Sequence, residues 1–181
     1  CGNSLLRIFG ITDGLTDMLW KECFDTVATD NNGTFLISVD DVTASFNLDK
    51  QKGLFIATRG SIRPRKISDE FGLVEWSPEA KLFFVYGRSK TLTVTLNGEV
   101  TPLDNAPATA QAAVSPDGKL IAWRATQRNP GVYVGVFNND APKQSFGKPT
   151  SWIGWVNPTT LFSYSGDLYM YYDASRYSVI K

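Results

Sequence analysis

Histidine is absent from all 181 residues. Its absence removes the usual general base near neutral pH, the commonest metal ligand, and every catalytic arrangement built on an imidazole. Cysteine is nearly absent too. Cys1 and Cys23 are too few for a four-thiolate zinc site, and without histidine they complete no ordinary mixed site. Neither a metal nor a cofactor is therefore expected. Charge of one sign is also lacking, since 18 basic side chains face 18 acidic ones. That balance argues against nucleic acid as a partner and against a general attraction to an anionic membrane surface. No uninterrupted apolar run reaches the roughly 18 residues a membrane-spanning helix needs, so any membrane association must come from a lipid or from another protein. What remains is an apolar fraction of 43% with 13% aromatic residues, enough for one sizeable core.

Three chemistries suit a chain that starts at cysteine. The opening Cys1-Gly2-Asn3-Ser4 looks like the start of a mature bacterial lipoprotein, in which the leading cysteine carries lipid on its sulfur after signal-peptide removal. That resemblance implies lipidation at Cys1 and an extracytoplasmic, membrane-anchored location in the periplasm or at the cell surface. Alternatively, Cys1 is an N-terminal nucleophile with its own α-amine as base, as in amidohydrolases. Cys1-Gly2 resembles the start of glutaminase domains, although Arg59-Gly60 lacks the histidine those domains usually carry nearby. The third reading is a Cys1–Cys23 disulfide or a boundary without function.

The strongest signal is self-similarity. Val74 to Phe84 (VEWSPEAKLFF) aligns with Ala112 to Ala122 (AAVSPDGKLIA) and with Gly154 to Phe162 (GWVNPTTLF). The prolines at 78, 116 and 158 stand 38 and 42 residues apart, close to the roughly 40–45 residues of one propeller blade. A fainter copy without proline begins at Asp30-Asn31-Asn32-Gly33. If Gly33 corresponds to Ala80, its spacing is 47, stretched by a loop from Ser61 to Phe71 that includes Arg63-Pro64-Arg65-Lys66.

Each copy reads as short strands rather than helices, because its runs are β-branched and aromatic, five to seven residues long, and bounded by Gly, Pro and Asn. Pro116-Asp117-Gly118 supplies a fixed φ, a local side-chain acceptor and a positive φ, which together close a tight hairpin. Fourth strands are expected at Leu54 to Thr58, Val100 to Leu103 and Tyr177 to Ile180. From Cys23 to Lys181 the chain resembles TolB-like and related WD-like β-propellers, most closely at Ser115 to Ala122. The resemblance implies an all-β propeller of four-stranded antiparallel blades, near 23–60, 71–104, 109–147 and 150–181. Four copies lie at the low end of the ~4–8 blades such folds carry, so a longer array is expected.

Residues 1–22 fall outside the repeat. Leu15, Met18, Leu19 and Cys23 have helical spacing, with Thr12 or Thr16 as N-cap, and predict a short helix.

The candidate site residues divide by chemistry. Pro78, Pro116, Asp117, Gly118 and Pro158 serve turn formation. Asp117, Asp140, Asp167 and Asp173 have no spacing that pairs them for glycoside hydrolysis, and Asp30, Asn32 and Asp40-Asp41 lack the pattern of a calcium loop. Asn32-Gly33-Thr34 is a formal glycosylation triplet. Arg59, Arg63, Arg65 and Lys66 read as a solvated loop. Aromatics concentrate in the last copy, where Trp152, Trp155, Tyr169 and Tyr171 are the expected protein contacts, with Tyr169 and Tyr171 on one face of their strand.

The functional expectation is a non-catalytic, lipid-anchored propeller that binds or scaffolds other protein subunits. An amidohydrolase using Cys1 and a carbohydrate- or peptide-binding propeller are the alternatives.

Overall fold

A computed structural model describes residues 6–9, 16–20, 24–39, 52–61, 64–87, 90–103, 109–125, 131–137, 142–146, 151–165, 168–173 and 178–180. Every regular element among them is a β-strand. The first two, β1 (Leu6–Phe9) and β2 (Thr16–Trp20), form an antiparallel pair with Leu6 opposite Trp20 and Phe9 opposite Thr16. Over the described residues of this stretch, Thr16–Trp20, a strand stands in place of the expected helix, while Leu15 and Cys23 lie outside the described residues. The helical apolar spacing spans barely two turns, and an isolated helix below ~12–15 residues is marginal, whereas pairing with β1 supplies a hydrogen-bonded partner directly.

Four four-stranded sheets follow in chain order. The first holds β3 (Thr26–Thr29), β4 (Thr34–Val39), β5 (Gly53–Thr58) and β6 (Arg65–Ser68). The second holds β7 (Leu73–Ser77), β8 (Leu82–Tyr86), β9 (Thr91–Val94) and β10 (Val100–Pro102). In the third are β11 (Thr109–Val114), β12 (Leu120–Ala125), β13 (Gly131–Val136) and β14 (Pro142–Phe146). The fourth comprises β15 (Trp152–Asn157), β16 (Thr160–Ser165), β17 (Leu168–Asp173) and β18 (Ser178–Ile180). Each sheet is a simple meander, with strands adjacent in sequence also adjacent in space.

Two details of the first sheet differ from expectation. Leu54 to Thr58 belongs to the third strand, β5, and the fourth is Arg65–Ser68, inside the stretch expected to be a charged loop. Positive charge on an edge strand explains the misreading. Arg65 and Lys66 blunt an otherwise open row of backbone groups, so composition points to loop while pairing with β5 makes strand. The ends are anchored by side chains. Lys66 Nζ lies 2.7 Å from Asp69, and Arg65 donates to the Asn97 carbonyl on a turn of the second sheet at 2.8 Å.

A polar residue closes each first hairpin. Asp30 Oδ1 accepts the amides of Asn32 and Thr34 at 2.9 and 2.8 Å. Ser77 Oγ accepts the Ala80 amide at 3.4 Å, and Ser115 Oγ accepts that of Leu120 at 2.9 Å while donating to Asp117 at 2.7 Å. Asn157 Oδ1 accepts the amides of Thr159 and Thr160 at 2.9 and 2.8 Å. Gly118 takes φ +73°, the left-handed region where a side chain is strained. Hence the hairpin chemistry tolerates loss of proline at Asn31 as long as an oxygen heads the turn.

The chain divides into two compact units. In the first, Ile37, Val39, Phe55 and Ala57 form an apolar cluster, with Phe24, Val27 and Phe35 packed against it. In the second, Ala122, Val132 and Val134 of the third sheet pack with Ile153 and Leu161 of the fourth. Apart from the partly buried Phe24, Val27 and Phe35, these side chains are removed from water almost completely, and burial of this kind is the main stabilising term in such sheets.

Candidate functional site

The register of the strands places equivalent residues across the sheets. Counting outward from the first turn, the fourth cross-strand pair is Thr26 with Ser38 in the first sheet and Gln111 with Arg124 in the third; in the fourth sheet, whose ladder has one extra pair, Asn157 with Thr160, before the irregularity at Val156, the matching pair is Trp152 with Tyr164. In the first two cases this position carries a clamp. Thr26 Oγ1 donates to the Gly72 carbonyl at 3.1 Å and accepts the Val74 amide at 3.3 Å, while Ser38 Oγ accepts the Gly72 amide at 3.0 Å. Gln111 Nε2 donates to the Ile153 carbonyl at 3.2 Å, and its Oε1 accepts the Ile153 amide at 3.1 Å. A side chain on one sheet thus satisfies the backbone of the next sheet's first strand, where no ladder bond is available.

In the fourth sheet that position is Trp152. Its indole is 48% exposed, lies over Gly154, and meets the Phe162 ring in a tilted contact at 5.7 Å between centroids. Side chains on a strand alternate between faces. Trp152, Gly154, Phe162 and Tyr164 therefore share one face, and the register adds positions 169 and 171, opposite Tyr164 and Phe162. The other face carries Ile153, Trp155, Leu161 and Ser163, and it is the one packed on the third sheet.

Trp152 and Trp155, expected together as protein contacts, are thereby separated. Trp155 is partly buried and donates its indole N–H to the Ala113 carbonyl at 2.9 Å, which commits it to the joint between sheets three and four. Trp152 faces outward. Positions 169 and 171 lie with Trp152. The turn residues Pro78, Pro116 and Pro158 are exposed, and Asp117 is held below the usual carboxylate range chiefly by the Ser115 hydroxyl. Cys1, Cys23, Asp140 and Asp167 lie outside the described residues.

Thr26, Gln111 and Phe162 were not singled out by sequence reasoning. Direct alignment sets Trp155 against Ala113, but β15 has an irregularity at Val156, so by pairing Trp155 stands where Val114 does and Trp152 where Gln111 does. A one-residue bulge moves every preceding side chain to the opposite face.

Elsewhere, burial raises the Glu75 carboxyl above its ordinary range, against the opposing effect of a Tyr86 hydroxyl bond at 2.9 Å. Among the described residues, no group of three or more His, Cys, Asp or Glu side chains converges as a metal site would require. No helix among them is long and apolar enough to cross a membrane.

No family model matches this chain, and no curated protein matches it in sequence. Solved structures do. Apo AztD from Citrobacter koseri superimposes on 93% of this chain with a TM-score of 0.60 at 12% identity, and an oligogalacturonate lyase in complex with manganese on 87% with a TM-score of 0.58 at 14% identity. Both are β-propellers. The fold is that of a β-propeller. Its four-stranded sheets are blades, and the Thr26 and Gln111 clamps are joints between consecutive blades. The chain spans about half the length of each matching propeller, 48% of AztD and 49% of the lyase.

Proposed function

We propose that this chain is a non-catalytic binding module, an extracytoplasmic propeller anchored through lipid on Cys1 that presents blade surfaces to other protein subunits. The observation that carries the reading is the aromatic face of blade four, where a half-exposed Trp152 rests on Phe162 at the position that joins blades elsewhere in the chain. Tryptophan and tyrosine in such a place bury large area at little entropic cost on binding, which is why they dominate contact hot spots. Charge neutrality and the lack of histidine fit a partner held by apolar packing rather than by chemistry.

The anchoring element is tested by mass spectrometry of the intact native N-terminus. Added acyl mass on Cys1 is expected, and a bare thiol or a disulfide there removes the anchor. The binding element is tested by affinity capture with the wild-type chain and Trp152→Ser side by side. The reading expects a protein captured by the first and lost from the second, and equal capture by both overturns it.

A carbohydrate is the second reading, because an exposed indole backed by a phenyl ring is also a surface on which sugar rings stack, and one matching propeller is an oligogalacturonate lyase. Quenching or enhancement of tryptophan fluorescence by oligogalacturonates, absent in Trp152→Ser, is the result that would favour it.

A further inference from the structure

We infer that Asn32, at the tip of the first hairpin of blade one, is a site of self-modification, where the amide nitrogen of Gly33 attacks the Asn32 carboxamide and converts it to aspartate and isoaspartate. Two Asn-Gly pairs occur in the chain, Asn32-Gly33 and Asn97-Gly98, and both asparagines are exposed. In each, glycine leaves the attacking nitrogen without a neighbouring Cβ, so local sequence makes the two sites equal. Their backbone bonding differs. In the turn between β9 and β10, Gly98 donates its amide to the Thr95 carbonyl at 2.9 Å. Around it, Thr95 donates its amide to the Glu99 carbonyl at 3.0 Å and accepts the Glu99 amide on Oγ1 at 3.1 Å, while Arg65 holds the Asn97 carbonyl at 2.8 Å. An attack by Gly98 must first break its own bond. In blade one, the amides of Asn31, Asn32 and Thr34 are taken by Thr29 Oγ1 at 3.3 Å and by Asp30 Oδ1 at 2.9 and 2.8 Å, whereas that of Gly33 has no hydrogen-bond partner among the described residues. Gly118, which follows Asp117 in blade three, is held as Gly98 is, by the Ser115 carbonyl at 2.8 Å. Of these three turns, that of blade one alone leaves the attacking nitrogen unbound. Gly33 stands at φ +100°, and a Cβ added there would lie 3.0 Å from that of Arg59, so the turn itself calls for the glycine that makes the attack easy.

The reaction balances with water as co-reactant. The Gly33 nitrogen gives its proton to solvent and bonds to the side-chain carbonyl carbon of Asn32, the carbon–nitrogen bond of the carboxamide breaks, and ammonia leaves. Water then opens the resulting cyclic imide at either carbonyl. One opening gives aspartate. The other gives isoaspartate, in which the main chain is one carbon longer just before the Gly33 carbonyl that accepts the Arg59 amide at 2.6 Å. Both products set a new carboxylate beside the turn that the buried Asp30 closes, so the change falls on the contact tying the first turn to the chain leaving β5.

Ageing of the full chain in mildly alkaline buffer, folded and in urea, tests the site. Peptides carrying Asn32 and Asn97 are followed by mass spectrometry, with chromatography separating aspartate from isoaspartate. In the folded chain Asn32 should convert about tenfold faster than Asn97, the ratio set by releasing a backbone hydrogen bond before attack. In urea, where both turns are open, the two rates should converge. Asn32→Gln, whose side chain is one methylene too long for the five-membered ring, should remove the acidic form that accumulates in the folded chain. Equal rates in the folded chain, faster conversion at Asn97, or a ratio that persists in urea overturns the assignment. A glycan on Asn32 of the chain from its own host, attached through the Asn32-Gly33-Thr34 triplet, overturns it too, because the carboxamide nitrogen is then already taken.

Discussion

Gln111 holds Ile153 by both of its backbone groups, accepting the amide at 3.1 Å and donating to the carbonyl at 3.2 Å. Ile153 itself is 1% exposed, so water has little access to replace either bond. A buried backbone group left without a partner costs about 1–3 kcal/mol. Gln111→Ala is expected to lower stability by that amount, seen as a reduced urea midpoint at unchanged slope. Thr26→Val should act in the same direction through Gly72 and Val74, by about 1 kcal/mol, and Thr26→Ser should restore most of it. Equal midpoints for wild type and Gln111→Ala would show that the clamp adds nothing to the joint.

Gly118 turns the first hairpin of blade three at φ +73°, and an added Cβ there would meet nothing closer than the Glu79 carbonyl oxygen at 3.9 Å. Conformation rather than space therefore decides the outcome. Gly118→Ala should cost about 1–2 kcal/mol, and Gly118→Asn less, because asparagine adopts the left-handed region more readily. Thermal unfolding of the two variants checks the order, and alanine proving as stable as asparagine would refute it.

Glu75 gives a pH dependence of definite sign. Its carboxyl titrates above the ordinary 4.5 in the folded chain, so the native state holds this proton more tightly than the unfolded state does. The stabilising contribution is fully present below the unfolded value and is lost as pH rises through the folded one. Glu75→Gln keeps an acceptor for the Tyr86 hydroxyl and removes the titration. Wild type should therefore lose stability relative to Glu75→Gln between acid and neutral pH in thermal melts. Parallel curves would contradict the shift.

Two apolar substitutions on opposite faces of blade four should behave differently. Leu161 is fully buried against blade three, and Leu161→Ala should cost about 2–5 kcal/mol. Trp152→Ser removes a half-exposed ring and should cost less than Leu161→Ala in the isolated chain while reducing its self-association at high concentration, as read by light scattering. A larger loss for Trp152→Ser than for Leu161→Ala would mean that the indole is core rather than surface.

The repeat, its strands and its hairpin turns are written in local chemistry. An oxygen-bearing residue heading the turn, at Asp30, Ser77, Ser115 and Asn157, followed by a β-branched or aromatic run, suffices to place each turn, because a hairpin is closed by residues adjacent in sequence. Local chemistry also misleads where it is brief or where partners are distant. Met18 and Leu19 read as helix until β1 supplies a strand to pair with, and Arg65-Lys66 reads as loop until β5 does. The face of a side chain depends on register. The irregularity at Val156 shifts β15 by one place, putting Trp152 at the position of Gln111 and turning Trp155 inward to Ala113. Sequence by itself determined that this chain folds into repeated β-hairpins, since those bonds close within a few residues. Only tertiary structure decided which aromatic ring packs inside and which meets solvent, since a strand's two faces differ only in what lies across from them.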